Sequence, residues 1–140
     1  SSVKTVISQR LVRKLADTKE RYFLSEAEEK ALRNIVDLDR MLTILKKENI
    51  VDADSTWATI PFCRPKGGED SPDGYKGRIG IHEVLEVSLS IKELILRGAS
   101  ADEIEKRAKE EGMMTMLEDG IFLAVQGITT TEEVLRVVSE

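Results

Sequence analysis

The residues best suited to chemistry lie in one stretch, Gly74-Tyr-Lys-Gly-Arg-Ile-Gly-Ile-His-Glu-Val-Leu85, where three glycines precede an apolar, β-branched run. A glycine-rich loop cradles phosphate when it ends in Gly-Lys-Ser/Thr, because backbone amides and the lysine then face the oxygens together. Gly74, Gly77 and Gly80 do not have that spacing and suit tight backbone turns instead. Arg78 reads as an ion-pair partner for a nearby acidic helix. His82 is the only histidine, and its neighbour Glu83 points to the opposite face of a strand, so the two share no proton. Cys63 is the only cysteine, which excludes an internal disulfide and a multi-cysteine zinc site. Met113, Met114 and Met116 read as core filling, and the mixed charges from Asp102 to Glu111 as a solvated helix face. No catalytic residue, cofactor-binding residue or metal ligand is assigned.

A chain of 140 residues fits one domain, or a small domain with an appended subdomain. One Trp, two Tyr and three Phe leave the core to Leu, Ile, Val and Met. A net charge of −5 argues against a nucleic-acid partner, which needs a basic footprint. The basic residues do concentrate at Lys4, Arg10, Arg13, Lys14, Lys19 and Arg21 against Asp17 and Glu20. That segment reads as a basic solvated face. No apolar run of about 18 residues and no signal pattern are present, so neither membrane insertion nor export is expected.

The elements that must position these residues follow from periodicity and caps. Val3, Ile7, Leu11 and Leu15 recur every four residues, which predicts an amphipathic helix over 3–15. Ser25 with Glu28 forms a capping box for helical sequence over 26–47, either one helix or two broken near Asn34–Asp37, packed as an antiparallel hairpin with the first. A short strand is predicted over 56–62 and another over 77–87, paired as a β-hairpin across a Pro- and Gly-rich loop at 64–74. Four short helices follow. Their caps are Ser90 with Glu93, Ser100 with Glu103, and Thr130 with Glu133, the third helix spans 114–126, and Gly98, Gly112 and Gly127 close helix ends. The fold class is therefore α+β and mainly helical: N-terminal helices, a small antiparallel β-hairpin and a C-terminal bundle of about four short helices. The expected division is 1–74, an N-terminal helical segment with a loop, and 75–140, a strand plus helices.

Three blocks together carry a resemblance: Gln9-Arg-Leu-Val-Arg13, Gly74 to Leu85, and Gly112-Met…Leu117…Asp119-Gly120…Gly127-Ile-Thr-Thr130…Glu133-Val-Leu-Arg136. In this order and spacing they resemble the C-terminal end of the type II secretion and type IV pilus assembly ATPases, the GspE/PilB-like traffic ATPases. The resemblance implies a cytoplasmic hexameric motor whose RecA-like core, with its Walker motifs, ATP and magnesium, lies upstream of the Gln-Arg-Leu block. It implies that this part is not catalytic alone and serves subunit packing and force transmission. Its partners would be the upstream core, neighbouring subunits and inner-membrane platform proteins, which would hold it peripheral to that membrane. Gln9, Arg10 and Arg13 are then expected to contact the core, while Gly74, Gly77, Arg78, Gly80 and Glu83 serve as turn and ion-pair residues. Many members bind zinc through two Cys-x-x-Cys pairs. Here the corresponding stretches read Ala16-Asp-Thr-Lys19 and Cys63-Arg-Pro-Lys66, so the zinc site is expected to be lost. Two other readings compete: a self-standing helical interaction module, and a nucleic-acid binder built from capped helices, which the net charge disfavours.

Overall fold

The structure, a computed structural model, describes residues 3–140. Its elements run β1 (Thr5–Leu15), β2 (Lys19–Phe23), α1 (Glu26–Arg33), α2 (Leu38–Lys47), β3 (Pro61–Pro65), β4 (Tyr75–Glu86), α3 (Leu89–Leu96), α4 (Ala101–Glu110), α5 (Met116–Ala124) and α6 (Thr131–Val138). The α+β class holds. Two antiparallel ribbons, β1–β4 and β2–β3, are surrounded by six short helices.

The predicted first helix is a strand. A spacing of four fits a helix, but four is also even, so the same residues share one face of a strand. The β-branched residues Val3, Thr5, Val6, Ile7 and Val12 tip the balance towards extended backbone. The first segment therefore forms no hairpin with the helices at 26–47. It pairs with β4 instead, in the register Ile7↔Val84, Gln9↔His82, Leu11↔Gly80 and Arg13↔Arg78, with a bulge before Leu15↔Tyr75. The expected pairing of 56–62 with 77–87 is likewise replaced. Thr56 to Ile60 make a turn in which Thr59 Oγ1 bonds the Thr56 backbone, and the strand begins only at Pro61. It pairs with β2, a strand the sequence reading did not foresee, in the register Lys19↔Pro65 and Arg21↔Cys63. Pro61 and Pro65 sit at its two ends, where a missing N–H costs least.

The helices follow local rules. The segment 26–47 is two helices, broken where expected: α1 ends at the cap Asn34, and the Asp37 carboxylate starts α2 by accepting from Arg40 N at 3.1 Å. Ser25 and Glu28 form the capping box. Ser100 and Thr130 cap α4 and α6 as read. The α3 cap is Ser88 rather than Ser90, accepting from Ile91 N at 3.2 Å, because the chain is already leaving β4 at that point. α5 is shorter than 114–126 and starts from its own capping box, Thr115 with Glu118.

Two apolar clusters hold these parts together. The larger joins α1 and α2 to β3 and α5 through Leu32, Leu38, Met41, Leu45, Trp57, Phe62 and Ile121. Trp57 Nε1 donates to Leu38 O at 3.0 Å, so its one polar atom is satisfied inside the core. The smaller joins the β1–β4 ribbon to α6 through Val12, Ile81, Val134 and Val137. Leu117 on α5 packs against both, which makes α5 the shared wall of the two. Full burial of each large aliphatic side chain is worth about 1.5–3 kcal/mol.

Candidate functional site: the ribbon and the seam beneath it

The β1–β4 ribbon gathers most of the residues singled out by the sequence and has two unlike faces. Val12 and Ile81 are fully buried under α6 on the inner face. On the outer face the odd residues of β1 before the bulge point outward. Ile7 and Leu11 are 66% and 47% exposed, and Val84, opposite Ile7, is 40% exposed. Gln9 shares that face and is exposed. The apolar stripe seen at a spacing of four is thus real, but three of its four members, Val3, Ile7 and Leu11, face solvent and only Leu15 is buried.

Arg10 and Arg13 leave opposite faces of β1, yet both reach α6. One Arg10 guanidinium nitrogen reaches Val137 O at 2.5 Å, Val138 O at 3.2 Å and Glu140 O at 2.9 Å, a cation on the carbonyl end of the helix where the macrodipole is negative. Arg13 binds Glu133 through Nε at 3.0 Å and Nη2 at 2.8 Å, and its guanidinium lies 4.2 Å over the Tyr75 ring. Arg136 closes on the same carboxylate from within α6. Burial alone would push the Glu133 carboxyl up. The hydrogen bonds from Arg13 and Arg136 overcome it and hold the group at about 2. The seam continues with Thr129 Oγ1 donating to Arg13 O at 2.7 Å and Leu15 N to Ile128 O at 2.9 Å.

The remaining residues keep backbone geometry. Gly74 (φ +82°) and Gly77 (φ +80°) occupy the left-handed region, and a Cβ at Gly74 would stand 3.0 Å from Lys66 N. At Gly80 it would stand 2.8 Å from Gln9 Nε2. Glu83 accepts from Met116 N at 2.9 Å and Asp119 from His82 N at 2.8 Å, so two carboxylates fasten the start of α5 to β4. Arg78 is exposed opposite Arg13 and makes no ion pair within 4 Å among the described residues.

Chemistry is sparse. A groove of about 550 Å³ between β4 and the α4–α5 connection is lined by His82, Val84, Glu111, Met113, Met114 and Asp119. His82 Nδ1 and Asp119 Oδ2 are 3.9 Å apart, too far for a hydrogen bond. Glu111 is already bonded by Ser88 and Ser90.

A type II/IV secretion system protein model matches residues 1–136. The chain belongs to that family. It is 36% identical over its whole length to the type II secretion system protein E of Xanthomonas campestris pv. campestris, covering 22% of that relative. It is 38% identical over its whole length to the type II secretion system ATPase E of Vibrio cholerae serotype O1, covering 24%. Over 73 residues, 52% of this chain and 8% of the relative, it is 51% identical to the type IV pilus assembly ATPase PilB of Thermus thermophilus. This secretion-family chain therefore spans less than a quarter of those relatives. No helix among its described residues is long and apolar enough to cross a membrane.

The zinc that the family resemblance implies does not suit the residues present. Tetrahedral zinc needs four N, O or S donors, and an ammonium has no lone pair to give. The four corresponding positions supply a methyl at Ala16, ammonium groups at Lys19 and Lys66, and one thiol at Cys63.

Proposed function

We propose that this chain is the C-terminal region of a secretion or pilus-assembly ATPase, which docks on the upstream motor core through the outer face of the β1–β4 ribbon. It holds no nucleotide site of its own and passes nucleotide-driven movement between subunits of a hexamer. The observation that carries this reading is the exposed apolar stripe of Ile7, Leu11 and Val84 on a ribbon whose other face packs Val12 and Ile81 against α6. Solvent-facing aliphatics grouped on one strand pair mark an interaction face. Gln9 and Arg78, which makes no ion pair among the described residues, add polar contacts beside it, while Arg10 and Arg13 act indirectly by fixing the ribbon to α6. In the cell such a protein is cytoplasmic and reaches the inner membrane through platform proteins.

The test has two parts. Titration of the chain with Mg-ATP, followed by calorimetry and phosphate release, should show neither binding nor turnover; saturable binding would overturn the non-catalytic reading. Next, the chain replaces the matching region of the Vibrio cholerae ATPase, with and without Ile7→Thr/Leu11→Thr. The double variant should keep the melting temperature of the isolated chain yet lower hexamer formation and ATP turnover of the chimera. Unchanged assembly would remove the ribbon as the docking face.

A further inference from the structure

The stretches that stand in place of the two cysteine pairs are brought together by the β2–β3 ribbon, with Lys19 opposite Pro65 and Arg21 opposite Cys63. Lys19 and Cys63 therefore lie diagonally on one side of that ribbon. They meet a third element. Lys19 Nζ donates to Gly127 O at 2.7 Å, across 108 residues of sequence. A methyl group added at Gly127 would stand 3.2 Å from Cys63 Sγ and 3.3 Å from Lys19 Nζ. The ammonium, the buried thiol and the turn after α5 thus converge on one point. Gly127 is buried at φ +76°, in the left-handed conformation that ends a helix and leaves carbonyls facing outward. A cation there also answers the negative end of the α5 dipole. Ala16 is buried nearby, its N–H donating to Gly74 O at 2.9 Å. Among the described residues no group of three or more His, Cys, Asp or Glu side chains is placed to hold a metal ion.

We propose that Lys19 replaces the metal: an organic cation, reaching in from an exposed strand position to a part-buried bond, that ties the β2–β3 ribbon to the α5–α6 turn and makes this subdomain metal-independent. The replacement inverts the bonding. Zinc would be held by thiolates giving electron pairs inward, whereas the ammonium gives hydrogen bonds outward to a carbonyl. The subdomain is then insensitive to chelators and to thiol oxidants that would strip a four-cysteine site. The inference rests on the family membership but not on where the ribbon docks.

The experiment uses the whole chain in reducing buffer. Metal analysis should find no zinc, and the melting temperature should be the same with and without EDTA. Lys19→Met should lower it by about 2–4 °C, and Lys19→Arg, which keeps a cation, should recover most of that loss. The triple variant Ala16→Cys/Lys19→Cys/Lys66→Cys, with Cys63 as fourth ligand, should take up one zinc per chain and gain stability that EDTA abolishes. Stoichiometric zinc in the unaltered chain with an EDTA-sensitive melt would overturn the proposal. An unchanged melt in Lys19→Met, or a triple variant that ignores zinc, would do the same. Should Lys19→Met not fold, a folded Lys19→Arg chain with the original melt supports the cation's role, and an unfolded one counts against it.

Discussion

Arg13 of β1 closes on Glu133 of α6 at 2.8 Å, although the arginine is 43% exposed and the glutamate side chain only 1%. A buried carboxylate is thus neutralised by guanidinium groups reaching in from the surface, Arg13 from the ribbon and Arg136 from its own helix. The relationship fastens α6 to the ribbon beside the smaller core that holds Val12 and Val134.

The acid stability of the chain should depend on this carboxylate. Its folded value of about 2 lies below the ordinary 4.5, so its contribution is complete above about pH 4.5 and is lost as pH falls towards 2. Glu133→Gln should destabilise the chain by roughly 2–3 kcal/mol at pH 7 and flatten the fall in stability between pH 4.5 and 2. Urea unfolding at pH 7, 4 and 2.5 checks both; equal pH slopes in the two proteins would refute the assignment.

Arg40 should matter as much in the larger core. It pairs with Glu118, whose side chain is 3% exposed, and also reaches the Met113 carbonyl. Arg40→Met takes from the buried Glu118 carboxylate its only cation among the described residues, leaving it just the capping-box bond from Thr115 N. The change should cost about 3 kcal/mol, the usual range for breaking a buried pair. Adding Glu118→Gln should return part of that loss, which a double-mutant cycle measures.

Gly120 is inside α5, where alanine would ordinarily gain about 1 kcal/mol of helix propensity. Here a Cβ would lie 2.8 Å from Val134 Cγ2 and 3.1 Å from Val134 Cβ. Overpacking costs about 1–3 kcal/mol and wins, so Gly120→Ala should destabilise. Val134→Ala in the same chain should relieve the clash, and thermal melts of the two singles and the double should show favourable coupling.

Arg78 stands directly opposite Arg13 without a counter-charge among the described residues, an arrangement that is mildly unfavourable. Arg78→Ala should leave the melt of the isolated chain within about 0.5 kcal/mol of the original, or raise it slightly. Any effect should appear in assembly of the chimera, read by gel filtration. A drop in the isolated chain's stability would show an intramolecular role.

What the residues determine unaided is whatever a few neighbours settle. Ser25, Ser100 and Thr130 cap their helices because the bonds span three residues, and Gly98, Gly112 and Gly127 carry the positive φ that closes a helix. The family blocks are linear as well, and the membership they suggested stands. What only the tertiary structure decided is which distant groups meet. The spacing of Ile7, Leu11 and Leu15 satisfies helix and strand alike, and the choice fell to pairing with β4, which the local pattern cannot contain. The same holds for Arg10 and Arg13, whose charge was legible but whose partners on α6 lie more than a hundred residues away. It holds too for Lys19 at the Gly127 carbonyl. Capping is short-range, so sequence encodes it openly, whereas strand pairing and buried ion pairs depend on chain closure that no local window records.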